Sequence, residues 1–105
     1  MQSIYSELQA RNTEVVVVSV DTVEENRRLA KKKGFTFPLL SDPDLTIIDR
    51  FGVRHPNGGI TKNDIARPAV FIARSSGEIL WRDVTDNWRV RVRPEIILDQ
   101  TKSFE

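Results

Sequence analysis

A chain of 105 residues with no cysteine has few side chains left that can make and break bonds. Without a thiolate it has no sulfur nucleophile, no thiolate metal ligand and no disulfide. His55, the single histidine, sits in a turn-like His-Pro-Asn-Gly-Gly run. A lone imidazole without a thiol or a paired carboxylate does not assemble a zinc site, so His55 reads as a loop residue. Asp21 closes a hydrophobic run as phospho-acceptor aspartates do, but the run lacks the companion carboxylate that such Mg²⁺ sites need. Asp42-Pro43-Asp44 is a helix cap before it is a cation site. Asn57-Gly58-Gly59 follows no predicted strand and precedes no predicted helix, so it is no phosphate-cradling loop. The most unusual stretch is Trp88-Arg-Val-Arg-Val-Arg93. Extended, it places Arg89, Arg91 and Arg93 on one face and Val90 and Val92 on the other. With Trp81, Arg82 and Trp88 near it, such a face could hold an anion, an acidic partner or a single strand of nucleic acid. Asp83 and Asp86 dilute it, and a segment whose valines and tryptophans pack on the domain is the favoured reading.

Composition narrows the function classes further. Sixteen Lys+Arg against fifteen Asp+Glu give a formal charge of +1. Division after Gly52 leaves −1 on the first part (7 basic, 8 acidic) and +2 on the second (9 and 7). A balanced chain of this kind argues against a dedicated nucleic-acid or membrane-surface protein. No apolar run approaches a membrane span, and no basic-then-apolar leader opens the chain, which makes the cytoplasm the default expectation. No metal and no cofactor are expected. Residues 1–105 read as a single domain of 12.0 kDa, 39% hydrophobic and 30% charged, with no repeat or linker dividing it.

Several elements must position whatever chemistry there is. Ile4, Tyr5 and Leu8 at helical spacing predict a helix over residues 2–11. Glu14-Val-Val-Val-Val-Ser-Val20, continuous and β-branched, predicts a strand buried on both faces. Thr22 and Glu25 form a capping box for a helix ending at Lys33 and Gly34, with Val23, Leu29 and Ala30 inward. The Lys31–Lys33 run is a solvated helix end. Phe37–Leu40 is a short strand or extended segment. Asp42 as cap and Pro43 at the first helical position start a helix with Leu45, Ile48 and Phe51 as its apolar stripe. Residues 54–66 read as loop. Pro68–Ala73 and Glu78–Val84 are strands joined through Ser75-Ser76-Gly77 as a hairpin, and Pro94 opens a last helix. The order is α-β-α-(β)-α-β-β-α, an α/β fold.

In that order, Val15–Asp21 with its capped helix, Phe37-Pro-Leu-Leu-Ser-Asp-Pro-Asp44, Phe51-Gly-Val53, Arg67-Pro-Ala-Val-Phe-Ile72, Gly77-Glu-Ile79, Trp81-Arg82 and Arg93-Pro94 resemble the peroxiredoxin (AhpC/TSA) branch of the thioredoxin-like superfamily. The resemblance runs from Met1 to about Asp99 and implies a thioredoxin-like three-layer sandwich, truncated at the N-terminus. It also implies an antioxidant oxidoreductase that reduces peroxides with a peroxidatic cysteine and a thiol reductant. That cysteine would lie roughly a dozen residues before Met1, at the start of the helix whose tail is Ser3–Arg11, where a helix N-terminus activates a thiolate. The strand preceding that helix, central in such sheets, is absent as well. The family's active-site arginine, which stabilises the thiolate and the charge developing on the peroxide, maps to Arg67, offset by one because its slot falls on Pro68. A proline in that slot is similar to the cis-proline of thioredoxins, so Ala66–Pro68 is expected to form an active-site loop with a cis Arg67–Pro68 bond.

Two function classes follow from the resemblance. In the first, the chain is the C-terminal part of a peroxiredoxin-like thiol-dependent peroxidase, inactive while it lacks a cysteine. In the second, it is a non-catalytic thioredoxin-fold module for binding or assembly. Either way the strand at 15–20 wants a neighbour on each edge. Two alternatives meet that need: direct closure onto the strand at 68–73, giving a smaller sheet, or a second chain supplying the missing edge; self-association is the expected outcome.

Overall fold

The computed structural model describes residues 2–85 and 93–103. Among these residues, four helices and six short strands follow one another as α1 (Gln2–Ala10), β1 (Val17–Ser19), α2 (Val23–Lys33), β2 (Leu39–Ser41), α3 (Thr46–Arg50), β3 (Arg54–His55), β4 (Ile65–Ala66), β5 (Ala69–Ala73), β6 (Ile79–Val84) and α4 (Pro94–Lys102). The strands pair as β1 with β2, β3 with β4, and β5 with β6, in three two-stranded sheets.

The core forms where α1 and α4 meet both larger sheets. Ile4, Tyr5 and Leu8, one face of α1, pack with Val15, Phe37 and Ile97, while Phe35, Leu39, Val70 and Leu98 close round them. Leu8 is the most deeply buried large side chain, 1% exposed. Edge-on packing of Tyr5 against Phe37 at 5.6 Å, and stacking of Phe35 on Phe37 at 4.9 Å, are favoured arrangements of aromatic quadrupoles. Arg11 ties α1 to α4 by donating to the Leu98 carbonyl at 3.0 Å and to Thr101 Oγ1 at 3.2 Å.

β1 and β2 run parallel, with Val17 opposite Leu39 and Ser19 opposite Ser41. Parallel neighbours need a crossover, and α2 supplies it. The predicted capping box is present: Thr22 Oγ1 accepts from the Glu25 amide and Glu25 Oε1 accepts from the Thr22 amide, both at 3.1 Å. Gly34 closes the helix in the left-handed conformation, φ 71°. The predicted inward face is corrected. Val23 and Leu29 are exposed, whereas Asn26 is buried. The side that meets β2 carries Asn26 and Ala30, one helical turn apart.

The third helix is also shorter than predicted. Asp42-Pro43-Asp44 makes a turn, closed by the Leu45 amide on the Asp42 carbonyl at 3.0 Å, and α3 starts beyond it. Asp42 still caps, from a distance: its buried carboxylate accepts from the Ile48 amide at 2.8 Å. Pro43 belongs to the turn. Ile48 is buried but Phe51 is exposed, resting on Phe71 with ring centroids 5.0 Å apart. Val70 faces the α1 cluster and its neighbour Phe71 faces Phe51. Because successive strand residues point to opposite faces, α3 lies across the strand layer from α1 and α4. This is the expected α/β layering.

Residues 54–66, expected as loop, contain a small antiparallel pair, Arg54 opposite Ala66 and His55 opposite Ile65. The 69–73 and 79–84 hairpin is present, with a register shift at Ile72/Ala73. One alternative and one expectation for the strand at 15–20 do not hold. It does not close directly onto the strand at 68–73, because β1 and β5 lie in different sheets. Nor is it buried throughout: Val15 is 8% exposed, but Val16 and Val17 are 53% and 37% exposed. Among the described residues no strand pairs with the edge of β1 remote from β2, and both side chains stay partly open to solvent.

Candidate functional site

In open α/β sheets ligands collect outside the carboxyl ends of the strands. There, at the end of β1, a crevice of about 650 Å³ is lined by Val20, Asp21, Gly58, Gly59, Ile60, Thr61, Asn63 and Ile65. One wall is the exit of β1. Its backbone is fixed by Ser41 Oγ, which donates to the Asp21 carbonyl at 2.6 Å, and by Ser19 Oγ, which accepts from the Asp21 amide at 3.2 Å.

The other wall is the loop between β3 and β4, which folds on itself. The Gly59 amide donates to the Asn63 carbonyl at 2.9 Å, and Thr61 Oγ1 donates to Asn63 Oδ1 at 2.9 Å. Neither glycine leaves room for a side chain unless a neighbour shifts. A Cβ at Gly58 would fall 2.7 Å from the His55 ring, and one at Gly59 2.0 Å from Asn63 Oδ1. Ile60 at the tip is fully exposed.

Arg54 anchors this wall. Its guanidinium donates two hydrogen bonds to Asp49, each 2.7 Å, and a third to Asp64 at 2.6 Å. Asp64 also accepts from the Asn57 amide at 3.0 Å. Bidentate carboxylate pairing of this kind is geometry that only arginine supplies. The Arg54 bonds hold the Asp49 carboxyl below its ordinary range, and the Asn57 amide and then Arg54 do the same for Asp64. Glu14 is lowered likewise, by the hydrogen bond from Tyr5 and then by the Val15 amide, and the Tyr5 hydroxyl is correspondingly raised. For a carboxyl lowered in the folded state, the stabilisation is complete above the unfolded-state pKa and is lost as pH falls through the folded one. Urea midpoints should therefore fall as pH drops below the ordinary carboxylate range, about 4. In Arg54→Met that acid-side decline should be shallower; an equally steep decline in the variant would show that the Arg54 pairs do not carry it.

Arg67 leaves this wall for β5. Its amide donates to the Val53 carbonyl at 2.7 Å, and Ala66 before it pairs with Arg54. Pro68 is buried, and its carbonyl accepts from the Thr85 amide at 3.0 Å. The Arg67–Pro68 bond is trans, since no cis peptide occurs among the described residues. This corrects the expected cis-proline: Pro68 directly precedes β5 with its carbonyl held by the Thr85 amide, and the thioredoxin-like reading of Ala66–Pro68 that rested on cis geometry loses its support.

The remaining candidates stay apart. Asp21 lines the crevice and His55 stacks beneath Gly58, while Asp42 is engaged by Ile48. Among the described residues no cluster of His, Asp and Glu could hold a metal ion. Trp88, Arg89 and Arg91 lie outside the described residues; Arg93 is the N-cap residue of α4. The paired aspartates of Arg54 and the self-bracing loop were missed in sequence, where Arg54, Asp49 and Asp64 show no regular spacing. No helix among the described residues is long and apolar enough to cross a membrane.

This is a thioredoxin-like layer of helices and strands with an arginine at the entry to a β-hairpin beside an open crevice. Residues 1–82 match the AhpC/TSA family, and the chain belongs to that family. It is 31% identical over 101 residues to a Haemophilus influenzae protein described as peroxiredoxin bcp, a match covering 94% of this chain and 63% of that one. It is 36% identical over 55 residues to peroxiredoxin bcp1 of Schizosaccharomyces pombe, covering 52% of this chain and 28% of the other. Among solved structures, Enterococcus faecalis AhpC superposes with a TM-score of 0.84 at 24% identity, over 98% of this chain and 60% of that one. Reduced Prx3 of Vibrio vulnificus, solved in complex with H2O2, gives 0.85 at 16% identity, over 98% and 65%. The chain thus spans less than two thirds of the length of these relatives.

Proposed function

We propose that this chain is the arginine-bearing portion of a peroxiredoxin-like, thiol-dependent peroxidase and acts when another segment supplies the cysteine. The observation that carries the reading is the family match over residues 1–82, which contains Arg67 at the entry to β5. In the proposed reaction, the supplied thiolate attacks one peroxide oxygen and the O–O bond breaks. The other oxygen leaves as alcohol or water once protonated, and a sulfenic acid remains. Two equivalents of a thiol reductant return it to the thiol, with loss of water and formation of a disulfide. Arg67 would hold the thiolate and the charge gathering on the departing oxygen. Ala66 and Pro68 would fix its backbone.

The chain alone should reduce neither hydrogen peroxide nor an organic hydroperoxide with thioredoxin, glutaredoxin or dithiothreitol as donor, because it has no nucleophile to attack the O–O bond. Turnover above a buffer blank by metal-free protein would refute this. Mixed with the cysteine-bearing N-terminal segment of a bcp-type relative, it should consume peroxide, and Arg67→Gln should abolish most of the gain. An unchanged rate in Arg67→Gln would remove the role given to this arginine. The second reading, a non-catalytic module for binding or assembly, is favoured by the absence of cysteine. It predicts no gain on mixing. Under both readings self-association through the open strand edges is proposed.

A further inference from the structure

We propose that Asn57-Gly58 is a modification site, where the asparagine converts spontaneously to isoaspartate, and that the conversion releases the crevice wall facing β1. Of the asparagines in the sequence, only Asn57 is followed by glycine. After the others the next residue carries a Cβ that crowds its own amide nitrogen; glycine carries none. Asn57 and Gly58 are both exposed, so water and hydroxide reach the bond.

The fold itself asks for this pair. His55-Pro-Asn-Gly58 is a tight turn, closed by the Gly58 amide on the His55 carbonyl at 3.2 Å. Pro56 second and Asn57 third, with φ of 57°, follow the type II pattern, which needs glycine or asparagine in the third place. Gly58 is then held against the His55 ring, where a Cβ would lie 2.7 Å from the nearest ring atom. Turn and packing together therefore set asparagine before glycine.

The reaction needs only water. The Gly58 amide nitrogen gives its proton to hydroxide and attacks Asn57 Cγ. A new C–N bond forms, the bond from Cγ to the side-chain nitrogen breaks, and ammonia leaves with a proton from water. Water then opens the resulting succinimide. Attack at Cγ gives aspartate. Attack at the main-chain carbonyl carbon gives isoaspartate, in which the chain continues through the side chain and a free carboxylate stands on the Asn57 Cα. Nothing is oxidised or reduced.

The native turn restrains this step. The Gly58 amide is engaged by His55, and the Asn57 amide donates to Asp64 at 3.0 Å. Both bonds must open before the Gly58 nitrogen can face Cγ. Isoaspartate, once formed, does not fit the turn. It lengthens the main chain by a methylene where Gly58 already meets the His55 ring. Its carboxylate stands beside the amide that holds Asp64, where Arg54 already serves Asp49 and Asp64. A third anion there is repelled, and Gly58 and Gly59, which line the crevice, lose their anchor. The inference involves neither thiol nor peroxide, so its outcome and that of the peroxidase reading are separate.

The full chain is aged in mildly alkaline buffer, digested, and scored for isoaspartate by mass spectrometry with isoaspartate methyltransferase labelling. Isoaspartate should collect at residue 57 at least about tenfold faster than at Asn12 or Asn63, whose following Thr13 and Asp64 carry side chains. A synthetic peptide of residues 53–61 should convert at least about threefold faster than the folded chain, since it has no turn to open. Asp64→Ala should bring the chain toward the peptide's rate. In aged protein the Gly58 and Gly59 amides should exchange at least about tenfold faster than in fresh protein. Aged Asn57→Gly, which keeps the positive φ and has no side-chain amide, should show no such change. No isoaspartate at residue 57, or equal conversion at Asn63, would overturn the site. An Asp64→Ala rate equal to that of the unaltered chain, or a peptide no faster than the folded chain, would overturn the restraint. Isoaspartate without faster exchange, or the same rise in aged Asn57→Gly, would overturn the release of the wall.

Discussion

Leu8→Ala is expected to lower the free energy of unfolding by about 2–5 kcal/mol, the range for emptying a well-packed leucine site. Leu8 sits where Ile4, Tyr5, Val15, Phe37 and Ile97 converge, and it is 1% exposed. Small domains hold only about 5–15 kcal/mol in total. Here the margin is thinner still, because one connected cluster of six buried apolar residues holds α1, α4 and both larger sheets together. The variant should lose cooperative unfolding near room temperature, read by urea titration of the circular dichroism signal. Val23→Ala, at a side chain 57% exposed, is the control and should change little. A loss below about 1 kcal/mol in Leu8→Ala would mean that the cluster does not hold the domain together.

Concentration-dependent association is the second large effect expected. A fully buried valine gains roughly 1.5–3 kcal/mol over an exposed one. With Val16 at 53% and Val17 at 37% exposure, the two together forgo on the order of 1.5–3 kcal/mol. β5 adds a second incompletely covered strand, and among the described residues each of the two has a ladder partner on one edge alone. Such edges are templates for pairing with other chains, although Glu14 and Asp21 flank β1 as gatekeepers. Sedimentation equilibrium across the micromolar range should show the average mass rising with concentration. Val16→Lys, a charge on an edge side chain that is already exposed, should return it toward the monomer. A stable, cooperatively unfolding monomer at all concentrations would refute the association. A mass unmoved by Val16→Lys would place the contact elsewhere.

The capping box at Thr22 and Glu25, the left-handed Gly34, the hairpin through Gly77 and the Pro94 helix start were determined by the sequence alone. Each depends on residues three or four apart, whose chemistry acts before any long-range contact forms. The family was legible for a related reason: Val15–Asp21, Phe37–Asp44 and Arg67–Ile72 keep their order along the chain. The tertiary structure decided the rest. A helix buries whichever face meets its sheet, so Asn26 is inside α2 and Val23 and Leu29 are outside. The turn at Asp42–Leu45 placed the start of α3 beyond Pro43, and the Asp42 carboxylate still reached the Ile48 amide across it. Arg54 gathered Asp49 and Asp64 by bringing the ends of a loop together, an encounter that no local spacing encodes. The Arg67–Pro68 bond is trans, and the Pro68 carbonyl meets the Thr85 amide seventeen residues on. Whether the valine strand would be buried was likewise a tertiary question, because a strand's burial is fixed by the neighbours that reach both its edges, and a valine run specifies only that it can use them.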